Sequence, residues 1–177
     1  EIILCLNYDG LYGINNINRF LQESNPNEPI EWGIQRFKVG DPILFNENER
    51  FGTGVYNNMK GKIRGIEIVD EDEPQERIVF DVELEKVIDG MDALGADFMF
   101  VDDEYPDAEN SVIRFYVNKL KSTDEDDDNS ARDVIPFQVA YAVSIHKAQG
   151  LEYSSVKIVI TDEVDELITH NIFYTAI

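Results

Sequence analysis

The sequence predicts an α/β domain that is interrupted by an inserted β module. Three observations support this prediction. The chain opens on an apolar run followed by a helical pattern, the middle of the chain alternates with a period of two, and residues 134–177 return to helical and strand-like segments. One insertion within a single α/β domain explains this order with few assumptions.

The first element is a short apolar run from Ile2 to Leu6, which is typical of a buried strand. Because this strand starts at the first residues, we expect further chain upstream. Its single cysteine, Cys5, is expected to be a buried and unreactive thiol. A helical pattern follows, in which Ile14, Ile17 and Leu21 share one face, and this predicted helix ends near residues 25–26.

The middle of the chain predicts several short strands joined by turns. The predicted strands cover residues 42–45, 63–69, 78–84 and 113–117, and they are separated by glycine, asparagine and acidic residues. This pattern indicates a small β-barrel or a curled sheet. Trp32, Phe37 and Phe45 are expected to be core residues. An acidic loop at residues 123–133 closes the module, and residues 137–148, 156–160 and 163–176 then predict a helix, a strand and a second helix.

The charge of the chain is strongly negative. Thirty-six acidic residues face fifteen basic ones, which gives a net charge of −21 that repels a polyanion at long range. The acids crowd into residues 70–73, 102–109 and 124–128, which we interpret as solvated loops; a protein-docking or DNA-repelling surface is the alternative. No apolar run is long enough to span a bilayer, and no basic and apolar leader opens the sequence. We therefore expect a cytoplasmic protein without a membrane partner.

Residues 140–153, AYAVSIHKAQGLEY, concentrate polar chemistry next to a helix end and a following strand. A hydroxyl, an imidazole and an ammonium group can donate to phosphate oxygens. A glycine allows close backbone approach, and a carboxylate beyond it can accept from ribose hydroxyls. The residues are Ser144, His146, Lys147, Gln149, Gly150 and Glu152. Judged by chemistry alone, an ordinary solvated surface is the more common explanation of such residues.

The same stretch resembles motif V of superfamily 1 DNA helicases in its RecD-like form, within the UvrD-like helicase C-terminal domain. The final residues 173–177, FYTAI, are similar to the start of motif VI. Residues 13–22, GINNINRFLQ, resemble the motif IV region. Residues 37–44, FKVGDPIL, and 57–61, NNMKG, resemble the beginning of the SH3-like module inserted in that family. The resemblance runs from motif IV to the start of motif VI.

The resemblance implies a partial RecA-like second motor domain with an inserted SH3-like small β-barrel. Residues 1–36 would form its first part, residues 37–133 the SH3-like module with acidic loops, and residues 134–177 the remainder. In this family ATP binds between two RecA-like domains of a motor that moves 5′ to 3′ along single-stranded DNA. Recombination or repair would be its setting, with the first motor domain and other repair proteins as partners.

The resemblance also implies a role for each residue of the motif V stretch. Ser144 and His146 would contact the phosphate backbone of single-stranded DNA, with assistance from Lys147. Gln149, Gly150 and Glu152 would form the nucleotide-binding set. The Glu152 carboxylate would contact the ribose, and the Gln149 amide would link the nucleotide site to the DNA site.

Two essential parts of an ATPase site are absent from the sequence. It has no Gly-x-x-x-x-Gly-Lys-Ser/Thr phosphate loop and no Mg²⁺-binding Asp-Glu strand, and the arginine expected in motif VI would follow Ile177. We therefore expect ATP and Mg²⁺ to be used by the parent protein, while this chain alone has no catalytic residue, holds neither tightly and hydrolyses no ATP. His146 and His170 lack partners at metal-ligand spacing, so no metal site is expected.

Two other functions remain open. The chain could be an acidic adaptor, an inactive motor half whose SH3-like module binds protein. It could also be a DNA mimic that acts through its charge, although acids confined to loops fit that class poorly.

Overall fold

The computed structural model describes residues 2–46, 49–69, 76–119, 132–148 and 153–159. They fall into two compact units, one made from the described parts of residues 1–26 and 140–177, the other from those of residues 27–139. The elements, in chain order, are β1 (Ile2–Cys5), α1 (Ile14–Glu23), β2 (Ile30–Trp32), β3 (Gln35–Phe37), β4 (Pro42–Phe45), β5 (Lys60–Val69), β6 (Arg77–Leu84), β7 (Met99–Phe100), β8 (Val112–Asn118), β9 (Phe137–Val139), β10 (Ala142–Ser144), α2 (Ile145–Ala148) and β11 (Val156–Val159).

The first unit contains a parallel sheet in the order β10-β1-β11. The apolar run of β1 lies in its centre, and Leu4 and Cys5 are buried, as a strand with neighbours on both sides requires. Burial raises the pKa of the Cys5 thiol to about 11, which keeps it in the unreactive protonated form at neutral pH. The predicted buried cysteine is confirmed.

Helix α1 follows the predicted pattern closely. Ile14 is buried, Ile17 and Leu21 are half-buried, and the helix ends at Glu23, two residues before the predicted stop. Gly13 begins the helix at a position where only glycine fits, because a Cβ atom there would lie 2.4 Å from the backbone oxygen of Asp9.

The second unit contains a six-stranded antiparallel sheet in the order β7-β8-β6-β5-β4-β9 and the two-stranded ribbon β2-β3. Strands β5 and β6 form its longest pairing, which is interrupted by a bulge between Ile63 and Gly65. Aromatic rings fill the core, with Phe51 and Phe115 centroids 4.9 Å apart. The predicted core aromatics Trp32, Phe37 and Phe45 are buried in this cluster.

The alternation predicted a small β-barrel or a curled sheet for the middle of the chain, and the resemblance implied the barrel; the described residues show no closed barrel. Within the described residues the six strands run in linear order from β7 to β9, and no pairing joins these two edges. The edge strands have only two and three residues, which leaves few backbone groups for closure. The predicted module covered residues 37–133, whereas the compact unit runs from 27 to 139; the exact borders of an inserted domain stay a prediction.

The helix predicted over residues 137–148 was wrong for most of its length. Residues 137–139 form β9, which pairs antiparallel with β4, and residues 142–144 form β10, which pairs parallel with β1. Only residues 145–148 are helical. Pairing with strands far away in sequence outweighs the local helical spacing, and the β-branched Val139 and Val143 suit strands. The predicted helix 163–176 and the acidic residues 70–73 and 124–128 lie outside the described residues.

The acidic segment at residues 102–109 is tied to the sheet by arginines. The guanidinium of Arg114 forms hydrogen bonds with Asp81 at 2.7 Å and with Glu104 at 2.8 Å. Arg64 contacts Glu83 at 2.9 Å and also pairs with Asp107. These carboxylates are therefore part of the fold of this unit as well as solvated charges.

A second arginine pair holds the Asp97 carboxylate. Burial alone would raise the pKa of Asp97, but hydrogen bonds from Arg132 and Arg50 outweigh it and hold the pKa below its ordinary value. The side chain of Arg50 is 2% exposed, and the Asp97 carboxylate lies 2.7 Å from its Nε as a charged partner.

We expect Asp97→Asn to lower the free energy of unfolding at pH 7 by about 1–3 kcal/mol, because a buried arginine loses its charged partner. Since the folded-state pKa of Asp97 is lowered, its contribution is complete above the unfolded-state pKa of about 3.9 and is lost as pH falls through the folded-state value. Urea unfolding at pH 7 and at lower pH should therefore show that the free energies of unfolding of the variant and of the unchanged chain converge in acid. Asp103→Asn, which removes the charge of an exposed carboxylate, is the control. A difference in the free energy of unfolding between Asp97→Asn and the unchanged chain that persists in acid would contradict this role of Asp97.

Candidate functional site

Three of the polar residues singled out within residues 140–153 lie where β10 ends and α2 begins. Ser144 is the last residue of β10, and its hydroxyl oxygen accepts a hydrogen bond from the backbone N–H of Lys147 at 3.2 Å. This is the geometry of a helix N-cap. Ser144 is only 5% exposed, and a hydroxyl that accepts one bond keeps its own O–H to donate. The capping role was not predicted from the sequence.

His146 and Lys147 lie on the single turn of α2. His146 is exposed and Lys147 is half-buried. Of Ser144, His146 and Lys147, His146 is therefore the residue whose side chain solvent and a ligand can reach most readily. The three residues predicted to contact DNA, Ser144, His146 and Lys147, thus lie together at the end of β10 and in the single turn of α2.

The sheet register places this turn at a specific edge. Cys5 of β1 lies opposite Ser144 of β10 and opposite Val159 of β11, and all three strands are parallel. The carboxyl ends of the strands therefore share one edge. In open α/β sheets, ligands bind at this edge, so Ser144 and His146 lie where the fold class holds its ligands.

Asn18 of α1 fixes the position of β10. Its side-chain oxygen accepts from the backbone N–H of Ala142 at 2.7 Å, and its Nδ2 donates to the Ala142 carbonyl at 2.9 Å. One side chain thus satisfies both backbone groups of a strand residue two positions before Ser144. The role of Asn18 was not predicted from the sequence. A signal existed, because Asn18 is a polar residue on the helix face of Ile14 and Leu21.

The loop between β1 and α1, residues 7–13, also lies at the carboxyl edge. It carries Tyr8, Leu11 and Tyr12, which are 48%, 69% and 49% exposed. Periodicity could not reveal these side chains, because they belong to neither a strand nor a helix.

The predicted nucleotide-binding residues Gln149, Gly150 and Glu152 lie outside the described residues, as do residues 173–177, which resemble the start of motif VI. Among the residues that the structure describes, no three His, Cys, Asp or Glu side chains are grouped closely enough to hold a metal ion. No helix in the described part of the chain has the length and apolar character needed to cross a membrane.

Residues 139–177 match the UvrD-like helicase C-terminal domain. This range contains β10, α2 and the whole stretch from Ser144 to Glu152. The match covers the end of the chain, and the motif V resemblance lies within it. No curated protein matches the sequence.

Solved structures of helicases match along nearly the whole chain. The crystal structure of Bacteroides Pif1 bound to ssDNA matches 99% of this chain and 37% of that one, with a TM-score of 0.51 and 16% identity. Pif1 helicase from Candida albicans matches 99% of this chain and 42% of its own, with a TM-score of 0.48 and 15% identity. Bacteroides Pif1 in complex with ADP-AlF3 and ssDNA matches 90% and 34%, with a TM-score of 0.44 and 14% identity.

The first of these likenesses shows a shared fold. The chain has a mixed α/β fold with a parallel sheet that resembles helicase motor domains. It spans 37% of the length of the Bacteroides Pif1 chain that it matches.

We expect Ser144→Ala to destabilise the chain by about 1 kcal/mol, because the first turn of α2 loses its cap. Ser144→Thr keeps a hydroxyl at the same position and is the matched control. Thermal unfolding of both variants measures the effect. A melting temperature unchanged by Ser144→Ala would show that the hydroxyl does not cap α2.

Proposed function

We propose that this chain is part of the second motor domain of an ATP-dependent DNA helicase that moves along single-stranded DNA. The observation that carries the proposal is the location of Ser144 and His146 at the carboxyl edge of a parallel sheet, inside the range that matches the UvrD-like helicase C-terminal domain. The Bacteroides Pif1 structure that shares the fold is bound to ssDNA, and we extend that ligand to this chain.

In this proposal α2 holds the DNA backbone. The exposed imidazole of His146 and the O–H of Ser144 donate hydrogen bonds to phosphate oxygens, and Lys147 adds positive charge beside them. Because the Ser144 hydroxyl also caps α2, its orientation is coupled to the position of that turn. Phosphate contacts of this kind carry no base sequence information, as a motor that travels along DNA requires.

The residues just beyond α2 would hold the nucleotide. Gly150 allows close backbone approach, Glu152 accepts from the ribose hydroxyls, and Gln149 links the nucleotide to the DNA contact. A stretch of nine residues, from Ser144 to Glu152, then touches both ligands. A shift of this stretch between nucleotide states would change its grip on DNA, which is the coupling that a translocating motor needs.

We further propose that the parent protein is RecD-like and acts in recombination or repair, with residues 37–133 as an SH3-like module. The antiparallel strands β4, β5, β6 and β8 around one aromatic core support such a module. We assign the phosphate loop and the Mg²⁺ ligands to the first motor domain, because the sequence of this chain contains neither motif. The first motor domain is then the obligatory partner, and the chain alone hydrolyses no ATP.

A second candidate is an acidic adaptor that binds protein through the β module. The exposed apolar side chains of Met91, Leu94 and Met99 in the second unit favour it. The two candidates predict different sequences upstream of this chain in the gene. A helicase needs a phosphate-loop sequence upstream of this chain, whereas an adaptor does not.

In the full-length protein we expect His146→Ala to weaken binding of oligo-dT about 10-fold and to reduce DNA-stimulated ATP hydrolysis, because a donor to phosphate is lost. Glu152→Ala should instead raise the KM for ATP and leave the Kd for oligo-dT unchanged. Fluorescence anisotropy and steady-state ATPase assays measure these constants.

Glu23→Ala is the matched control for loss of a glutamate, since Glu23 is exposed at the end of α1. Equal effects of His146→Ala and Glu152→Ala on ATP affinity in the absence of DNA would overturn the assigned roles.

A further inference from the structure

The loop at residues 7–13 presents three large apolar side chains to solvent from a tightly built backbone. Tyr8 and Tyr12 are about half-exposed, and Leu11 is 69% exposed. A group of large apolar side chains exposed on one short loop is a candidate binding surface. None of the three takes part in the proposed contacts with phosphate or nucleotide.

The loop is internally hydrogen-bonded. The N–H of Ile14 donates to the Asn7 carbonyl at 3.0 Å, and the N–H of Asn15 donates to the Tyr8 carbonyl at 3.2 Å. The side-chain amide of Asn16 donates to the Gly10 carbonyl at 2.7 Å. These bonds fix the backbone that carries the two tyrosines, so little ordering is required when a ligand binds.

The same bonds argue against a phosphate site in this loop. The N–H groups of Ile14 and Asn15 in the first turn of α1 already donate to carbonyls of the loop, whereas an anion at a helix N-terminus needs such donors. The only charged residue among residues 7–13 is Asp9, which repels phosphate. The loop therefore offers uncharged ring faces, and stacking on bases uses ring faces and is tolerant of base sequence.

The loop begins next to the proposed phosphate contact. Cys5, two residues before Asn7, lies opposite Ser144 in the sheet, and α2 lies against β1. We propose that Tyr8 and Tyr12 form a surface on which bases of single-stranded DNA stack, beside the backbone contact made by Ser144 and His146. This inference rests on the proposed function and adds base-contacting residues to it.

The test uses the full-length protein and two oligonucleotides of equal length, one of thymidines and one of abasic sites. The abasic strand keeps the phosphates and lacks the bases. The double variant Tyr8→Ala, Tyr12→Ala should bind the thymidine strand about 10-fold more weakly, because each base stacked on an aromatic ring contributes substantially to affinity. Its affinity for the abasic strand should stay that of the unchanged protein.

Two control variants separate stacking from folding. Tyr8→Phe with Tyr12→Phe keeps both rings and should bind the thymidine strand normally. Phe20→Ala removes a ring that is 70% exposed on α1 and should change neither affinity. Equal weakening on both strands, or no weakening on either, would overturn the inference.

Two further results distinguish this inference from the proposed function. A raised KM for ATP with unchanged thymidine binding would mean that the tyrosines face the nucleotide, and the inference would fail while the helicase proposal stands. His146→Ala should weaken binding of both strands. If it weakens neither, the phosphate contact fails, whatever the tyrosine variants do.

Discussion

Parallel pairing of β1 with β10 and β11 is the constraint on which the candidate site depends. Four residues, Ile2–Cys5, hold two strands that lie more than 130 positions later in the sequence. This pairing brings the loop at residues 7–13 and helix α2 to one edge of the sheet. Asn18 completes the arrangement by binding both backbone groups of Ala142. A strand so fixed holds Ser144, its last residue, at this edge, and His146 follows in α2.

The negative charge of the chain shapes what this edge can bind. In the second unit, carboxylates at Asp81, Glu104 and Asp107 are neutralised by Arg64 and Arg114, so part of the acidic excess stabilises the fold. The remaining charge opposes long-range attraction of DNA. Contacts that need no net attraction, such as hydrogen bonds from α2 and stacking on rings, are the kind that this chain can contribute. In the proposed function, the positive charge that attracts DNA belongs to the rest of the parent protein.

Local patterns in the sequence predicted much of the fold. The alternation of Ile78, Phe80 and Val82 identified β6, and the spacing of Ile14 and Ile17 identified α1. Features that arise from long-range pairing were either not predicted or predicted wrongly. Residues 137–144 have helical spacing but form two strands, because β4 and β1 offer hydrogen-bond partners that a local pattern does not encode. The bridge of Asn18 and the exposure of the loop tyrosines depend on tertiary structure in the same way.

The central claim, that the carboxyl edge of the parallel sheet binds single-stranded DNA, can be tested most directly by photocrosslinking. A thymidine strand containing iododeoxyuridine would be irradiated with the full-length protein, and the crosslinked peptides would be identified by mass spectrometry. Our account predicts that crosslinks within this chain fall in residues 7–13 and 144–148. Crosslinks confined to residues 27–139, or an absence of crosslinks anywhere in this chain despite tight binding, would contradict it.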